Sequence, residues 1–158
     1  MAVGRFMAMI GALVWSPQTE KYLLLKRIAE RGGHWECVTG RLEQGECFTD
    51  AVHREVKEEL GVSVTVDFMI GTAHFYRGAS VVENEIVGVH FACVLDDPDV
   101  IRLSAEHDDY RWLTATEVDT FLPADRVWLK SLVARTEILR KSLPPALVRY
   151  QHIHGFEF

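Results

Sequence analysis

Val52, Val56 and Leu60 fall on one stripe at helical spacing. Gly61 follows where a helix C-terminus favours the left-handed conformation, so Phe48 to Leu60 is expected to form an amphipathic helix. Glu55, Glu58 and Glu59 stand at i, i+3 and i+4 of that helix, which gathers three carboxylates on one face. Helix stability alone would space such charges or alternate them with cations. Their crowding beside an apolar stripe calls for something positive between them, and a hard divalent cation with oxygen ligands suits them best. Arg54 supplies a built-in counter-charge, four residues after Asp50 and four before Glu58. Glu46, just ahead of the helix, is within reach of the same centre, directly or through water. Gly40 lets the loop backbone come close and offer a carbonyl. The N-cap is weaker than usual, because Cys47 stands where Ser or Thr would accept a backbone hydrogen bond.

Strands and helices surround this element within one domain, residues 1–158. Gly4 to Arg27 reads as two apolar strands paired antiparallel around the turn cluster Ser16 to Glu20. Residues 28–47 carry glycines and short apolar runs, which predicts a long loop with a brief strand near Trp35 to Val38. Val62 to Arg77 and Val81 to Leu95 are β-branched and aromatic runs, expected as long strands joined tightly at Gly78-Ala79-Ser80. Tyr110 to Leu113 is a short strand, and Thr114 to Glu117 a capping box that opens a short helix. Ala124 to Lys141 predicts a second long amphipathic helix, ended by Pro144-Pro145. The tail from Ala146 to Phe158 is apolar enough to dock on the domain or on a partner.

Composition narrows the class. With 48% apolar residues in 158, the chain can bury one continuous core and has no room for a second full domain. Its formal charge of −6, without any Lys/Arg run, offers no footprint for a nucleic-acid polymer, whereas a metal could supply the charge that a free nucleotide needs. Apolar stretches such as Phe6 to Trp15 are too short to span a bilayer, and no secretory signal is recognisable, so a cytoplasmic location is expected. Cys37, Cys47 and Cys93 form neither pairs nor a zinc pattern and read as small fillers in a reducing compartment.

Taken together, Gly40, Glu46, Arg54, Glu55, Val56, Glu58, Glu59, Gly61 and Val62 resemble the Nudix box GX5EX7REUXEEXGU, U being aliphatic, at every specified position of residues 40–62. REVKEELG alone is also what a salt-bridged surface helix looks like, and the correctly spaced loop residues overturn that reading. Resemblance to the Nudix (MutT-like) hydrolases implies an α/β fold, an α/β/α sandwich with a mixed central sheet. It implies hydrolysis of a phosphoanhydride with Mg²⁺, for which Mn²⁺ could substitute. It transfers metal ligation to Glu55 and Glu59 first and Glu58 next, with Glu46 in a supporting outer role and the Gly40 carbonyl as a further ligand. One of the helix acids, or the loop carboxylate Glu106, would deprotonate the attacking water, with Arg54 orienting the acids; Glu83 and Glu85 are weaker alternatives. No histidine is assigned a catalytic role.

For the substrate, a nucleotide-like small molecule is implied. The stretch Trp35-Glu36-Cys37-Val38-Thr39-Gly40 departs from the WxxPGG pattern common in the family. With Glu106-His107 followed by Tyr110 and Trp112, it resembles the dihydroneopterin triphosphate pyrophosphatases. A purine or pterin ring could stack on Trp35, Phe75 or Tyr76, although packing is the commoner role for each. General clearance of nucleoside triphosphates competes with this, and a non-catalytic nucleotide-sensing domain is the alternative from another class. The apolar tail and long terminal helix also make a homodimer a reasonable expectation.

Overall fold

The computed structural model describes residues 6–157. Gly4 and Arg5, at the start of the first expected strand, lie outside the described residues. Seven strands form a mixed sheet: β1 (Met7–Ser16), β2 (Lys21–Arg27), β3 (Trp35–Glu36), β4 (Val38–Arg41), β5 (Thr65–Tyr76), β6 (Glu85–Val94) and β7 (His107–Leu113). β1 runs parallel to β6 along its length, while its other edge pairs antiparallel with β4 at Met9 to Ala12 and with β2 at Trp15 and Ser16. β5 pairs antiparallel with β6, and β2 also pairs with β3 and β7.

Period-2 alternation divides the core into two layers. Ile10, Ala12 and Val14 of β1, with Leu23 and Leu25 of β2, meet Val52, Val56 and Leu60 of α1 (Phe48–Leu60). Leu13, Tyr22 and Leu24 point the other way, with Phe68 and Ile70, against Val118 of α2 (Ala115–Phe121) and Leu129 and Val133 of α3 (Val127–Ser142). Helices thus cover both faces, which is the expected sandwich. Val52, Val56 and Leu60 are fully enclosed; each contributes about 1.5–3 kcal/mol, so a charge at Val56 would detach α1 from the sheet.

The helix at residues 48–60 and its left-handed Gly61 (φ 69°) fall where the sequence puts them, with Cys47 making no side-chain cap. The capping box at Thr114 and Glu117 is formed. Other boundaries move. The loop at 28–47 contains β4 as well as β3. Residues 77–84 are not strand, and Val81 and Val82 are exposed there. β7 begins three residues early, at His107, because it pairs with β2 as far as Arg27. α3 starts at Val127, not Ala124. Pro145 begins a further helix, α4 (Pro145–His154), since proline at N1 needs no N–H. The tail docks on its own domain, with the Phe156 ring edge-on to Phe91 at 5.6 Å between centroids.

Candidate active site

α1 and β4 meet the sheet at a cavity of about 1350 Å³, lined among others by Arg27, Glu36, Gly40, Glu55, Glu59 and Glu106. Gly40 sits on β4 opposite Ile10, and a Cβ built there would overlap the Glu55 carboxyl group. Only glycine lets this carboxylate lie against the strand backbone. Arg54 fixes the rim: its Nε and Nη2 donate to the two oxygens of Glu46 at 2.8 and 2.9 Å, Nη1 to Glu55 at 2.7 Å, and Nη2 also to the Arg41 carbonyl at 2.9 Å. These partners keep Arg54 firmly protonated, with Glu46 as the main cause. Glu58 lies 3.6 Å from the same guanidinium and faces solvent. The expected Asp50 pairing is not made; Arg54 turns instead to the loop and its neighbour.

Glu59 differs from all of these. It is 5% exposed, and among the described residues its Oε2 has no hydrogen-bond partner. Burial, reinforced by the nearby charges of Glu36 and Glu55, pushes its carboxyl up to about 9. Burial also raises Glu55. A buried carboxylate left without a donor is costly unless a cation is to join it. The donor set, all carboxylate and carbonyl oxygen, fits a hard divalent ion. Among the described residues no three His, Cys, Asp or Glu side chains stand at coordinating spacing around one point. Glu55 is held by Arg54.

Glu106 lines the cavity and pairs with Arg31 at 2.7 Å and with Arg27 at 3.6 Å. Glu46 is absent from the cavity wall, with both oxygens on Arg54 and one also accepting from the Glu43 N–H. Trp35 lies away from the cavity, edge-on to Phe121 at 5.0 Å, and Tyr76 lies outside it beside His74. The aromatic that lines the cavity from this stretch is Phe75.

The sequence places Glu36 and His107 only within the two patches of sub-family resemblance and gives neither a role in the site. Glu36 is buried and accepts from Arg27 and, at 3.1 Å, from His107. Burial alone would raise its carboxyl, but these donors outweigh it and hold it below the usual range. His107 Nε2 is 4.0 Å from Glu59 Oε2, so a buried chain of polar groups reaches the uncompensated acid. The available signal was a charged residue inside the strand run Trp35 to Val38.

The family model of the NUDIX domain matches residues 5–135. Nucleoside triphosphatase NudI of Klebsiella pneumoniae subsp. pneumoniae is 30% identical over 112 residues, covering 63% of this chain and 77% of that protein. A protein of Myxococcus xanthus called octanoyltransferase is 38% identical over 95 residues, or 59% of this chain, which spans 26% of that protein's length. The crystal structure of the MutT protein from Methanosarcina mazei Go1 superposes with a TM-score of 0.70 at 21% identity, over 90% of this chain and all of that one, and shares the fold. The chain therefore belongs to the Nudix family.

Proposed function

We propose that this chain hydrolyses a phosphoanhydride bond of a nucleoside triphosphate or a related nucleoside diphosphate derivative, dihydroneopterin triphosphate included, with Mg²⁺ as cofactor and Mn²⁺ as a substitute. The observation that carries this is the buried, unpartnered Glu59 carboxylate beside Glu55 in the wall of a substrate-sized cavity. Glu55 and Glu59, with Glu58 and the Gly40 carbonyl, would hold the ion. When bound, it neutralises phosphate oxygens and makes a nucleophile of water at neutral pH.

The chain's own residues do the rest. Arg54 keeps Glu55 and the loop at Glu46 in place. Such positioning is worth orders of magnitude in rate when reacting atoms must align. Arg27 and Arg31 hold Glu106 at the cavity edge, from where it can accept a proton from an attacking water. The NudI name supports a triphosphate substrate, and the box resemblance supports phosphoanhydride cleavage.

The test offers purified protein dihydroneopterin triphosphate, the (d)NTPs, ADP-ribose and dinucleoside polyphosphates, and measures released phosphate or pyrophosphate. Chelator-sensitive turnover of a triphosphate is expected. Tight nucleotide binding without product would reassign the chain as a sensing domain.

A further inference from the structure

A second part of the cavity wall, made by β1, β5, β6 and α3, has a construction that anhydride cleavage does not require. His90 of β6 lies in register with Gly11 of β1 on one side and Gly71 of β5 on the other. Residues paired this way face the same side of a sheet. A Cβ at Gly11 would overlap the His90 ring, and one at Gly71 would sit 2.8 Å from Nη1 of Arg135. Three neighbouring strands thus form a shelf bare on both flanks of His90, over which one imidazole and one guanidinium lie close to backbone.

α3 covers the shelf. Trp128, Ser131, Leu132 and Arg135 recur at i, i+3, i+4 and i+7, and all line the cavity. Trp128 is 43% exposed, with its ring 6.3 Å from that of His90 at 47°. An indole kept out of the core and turned to a cavity is a stacking surface. Of the arginines lining the cavity, Arg27, Arg31 and Arg54 each hold an acid, whereas among the described residues none pairs with Arg135, nor with Arg41, Arg77 or Arg126. Burial lowers the His90 pKa, so the imidazole is neutral at pH 7, with one donor and one acceptor nitrogen.

We propose that this slot takes a planar bicyclic ring, and that Arg135 reads an adjacent oxo oxygen and imine nitrogen on its edge. Guanine and pterins share that acceptor pair, whereas adenine places an amino donor beside its ring nitrogen. A guanidinium fork matches two neighbouring acceptors and a lysine does not. The proposal rests on the hydrolytic reading above and names its base, yet can be tested without hydrolysis.

The experiment is calorimetric binding of dGMP, 7-deaza-dGMP, dAMP and neopterin in EDTA. The wild type is expected to bind dGMP roughly tenfold tighter than dAMP and 7-deaza-dGMP, which lacks the ring acceptor. R135L and R135K close that gap and weaken neopterin alongside dGMP. W128A weakens every ring, and W128F restores most of the affinity. Equal wild-type affinity for dGMP and 7-deaza-dGMP, or a gap that survives in R135L, would overturn the proposal. So would an equal loss of all nucleotides in R135L, which would assign the guanidinium to phosphate. In a magnesium assay, kcat/KM for dGTP against dihydroneopterin triphosphate then separates the two sources. A dGMP preference that depends on Arg135, in a protein that hydrolyses nothing in the substrate panel, supports the slot and overturns the catalytic reading instead.

Discussion

Replacing Glu59 by Gln keeps the shape of the side chain and removes its charge, so stability and activity should move in opposite directions. In the folded chain the carboxyl holds its proton up to about 9, against 4.5 for an ordinary glutamate. The unfolded chain releases that proton near the ordinary value. Folded protein therefore binds more protons than unfolded protein between these limits, and metal-free stability falls as pH rises through that window. At about pH 7.5 the difference spans about three units, a ceiling of about 4 kcal/mol. Relaxation of the side chain toward the cavity reduces this, so about 1–3 kcal/mol is the expected gain for E59Q in EDTA. Urea denaturation measures it as a higher midpoint at unchanged slope. The gain should shrink as pH falls to 4.5 and vanish about a unit below it, where wild-type Glu59 is protonated in both states. With magnesium the order reverses, because the ion stabilises the wild type by binding its folded form and has lost a ligand in the variant. Turnover of E59Q should drop about a thousandfold. A variant less stable than wild type in EDTA at pH 7.5, or one as active as wild type, would refute the reasoning.

R54K cannot hold both Glu46 oxygens and Glu55 at once, so kcat should fall by about 10–100-fold with a smaller change in KM, read from steady-state kinetics. G40A places a methyl group where the Glu55 carboxyl lies; a magnesium titration should show affinity down about tenfold or more, with the thermal midpoint little changed. His90 is buried with its pKa lowered by that burial, so its contribution to stability is present above the unfolded value and lost as pH falls below about 6.5. Thermal melts between about pH 7 and 5 should show that loss in the wild type and less of it in H90N.

What the sequence disclosed depended on how local the cause was. α1 was legible to the residue because its apolar stripe, its acids and Gly61 are all written within the element. β3 and β4 are two and four residues long, too short to carry an alternation of their own. Their existence is decided by pairing with β2 and β1. α4 was hidden because Pro144-Pro145 reads equally as a stop and as a start. Trp35 looked available for stacking, but Phe121 lies 86 positions further along the chain and reaches it only in the fold. The shelf was illegible for the same reason. Gly11, Gly71 and His90 are isolated residues on separate strands, and only sheet register makes them neighbours.

The charges around the cavity explain why its acids are not an accident of surface composition. Glu36 has Arg27 and His107, Glu46 and Glu55 share Arg54, and Glu106 has Arg31. Glu58 is answered by solvent, with 60% of its side chain exposed. Glu59 is left: its nearest recorded basic group, the His107 imidazole at 4.0 Å, already bonds to Glu36. A helix selected only for stability would replace this residue with an apolar one, since a buried lone acid opposes folding. Its presence has a physical reason once a cation from outside the chain completes the set. On the proposed function that cation would lie between Glu55 and Glu59, with Glu36 already held by Arg27 and His107 and Glu46 by Arg54. Catalytic charge and substrate choice are thereby assigned to different elements. On the proposed reading α1 supplies the acids and β4 the glycine that lets Glu55 lie against it, while α3 with its glycine-flanked shelf decides which ring can lie beside them.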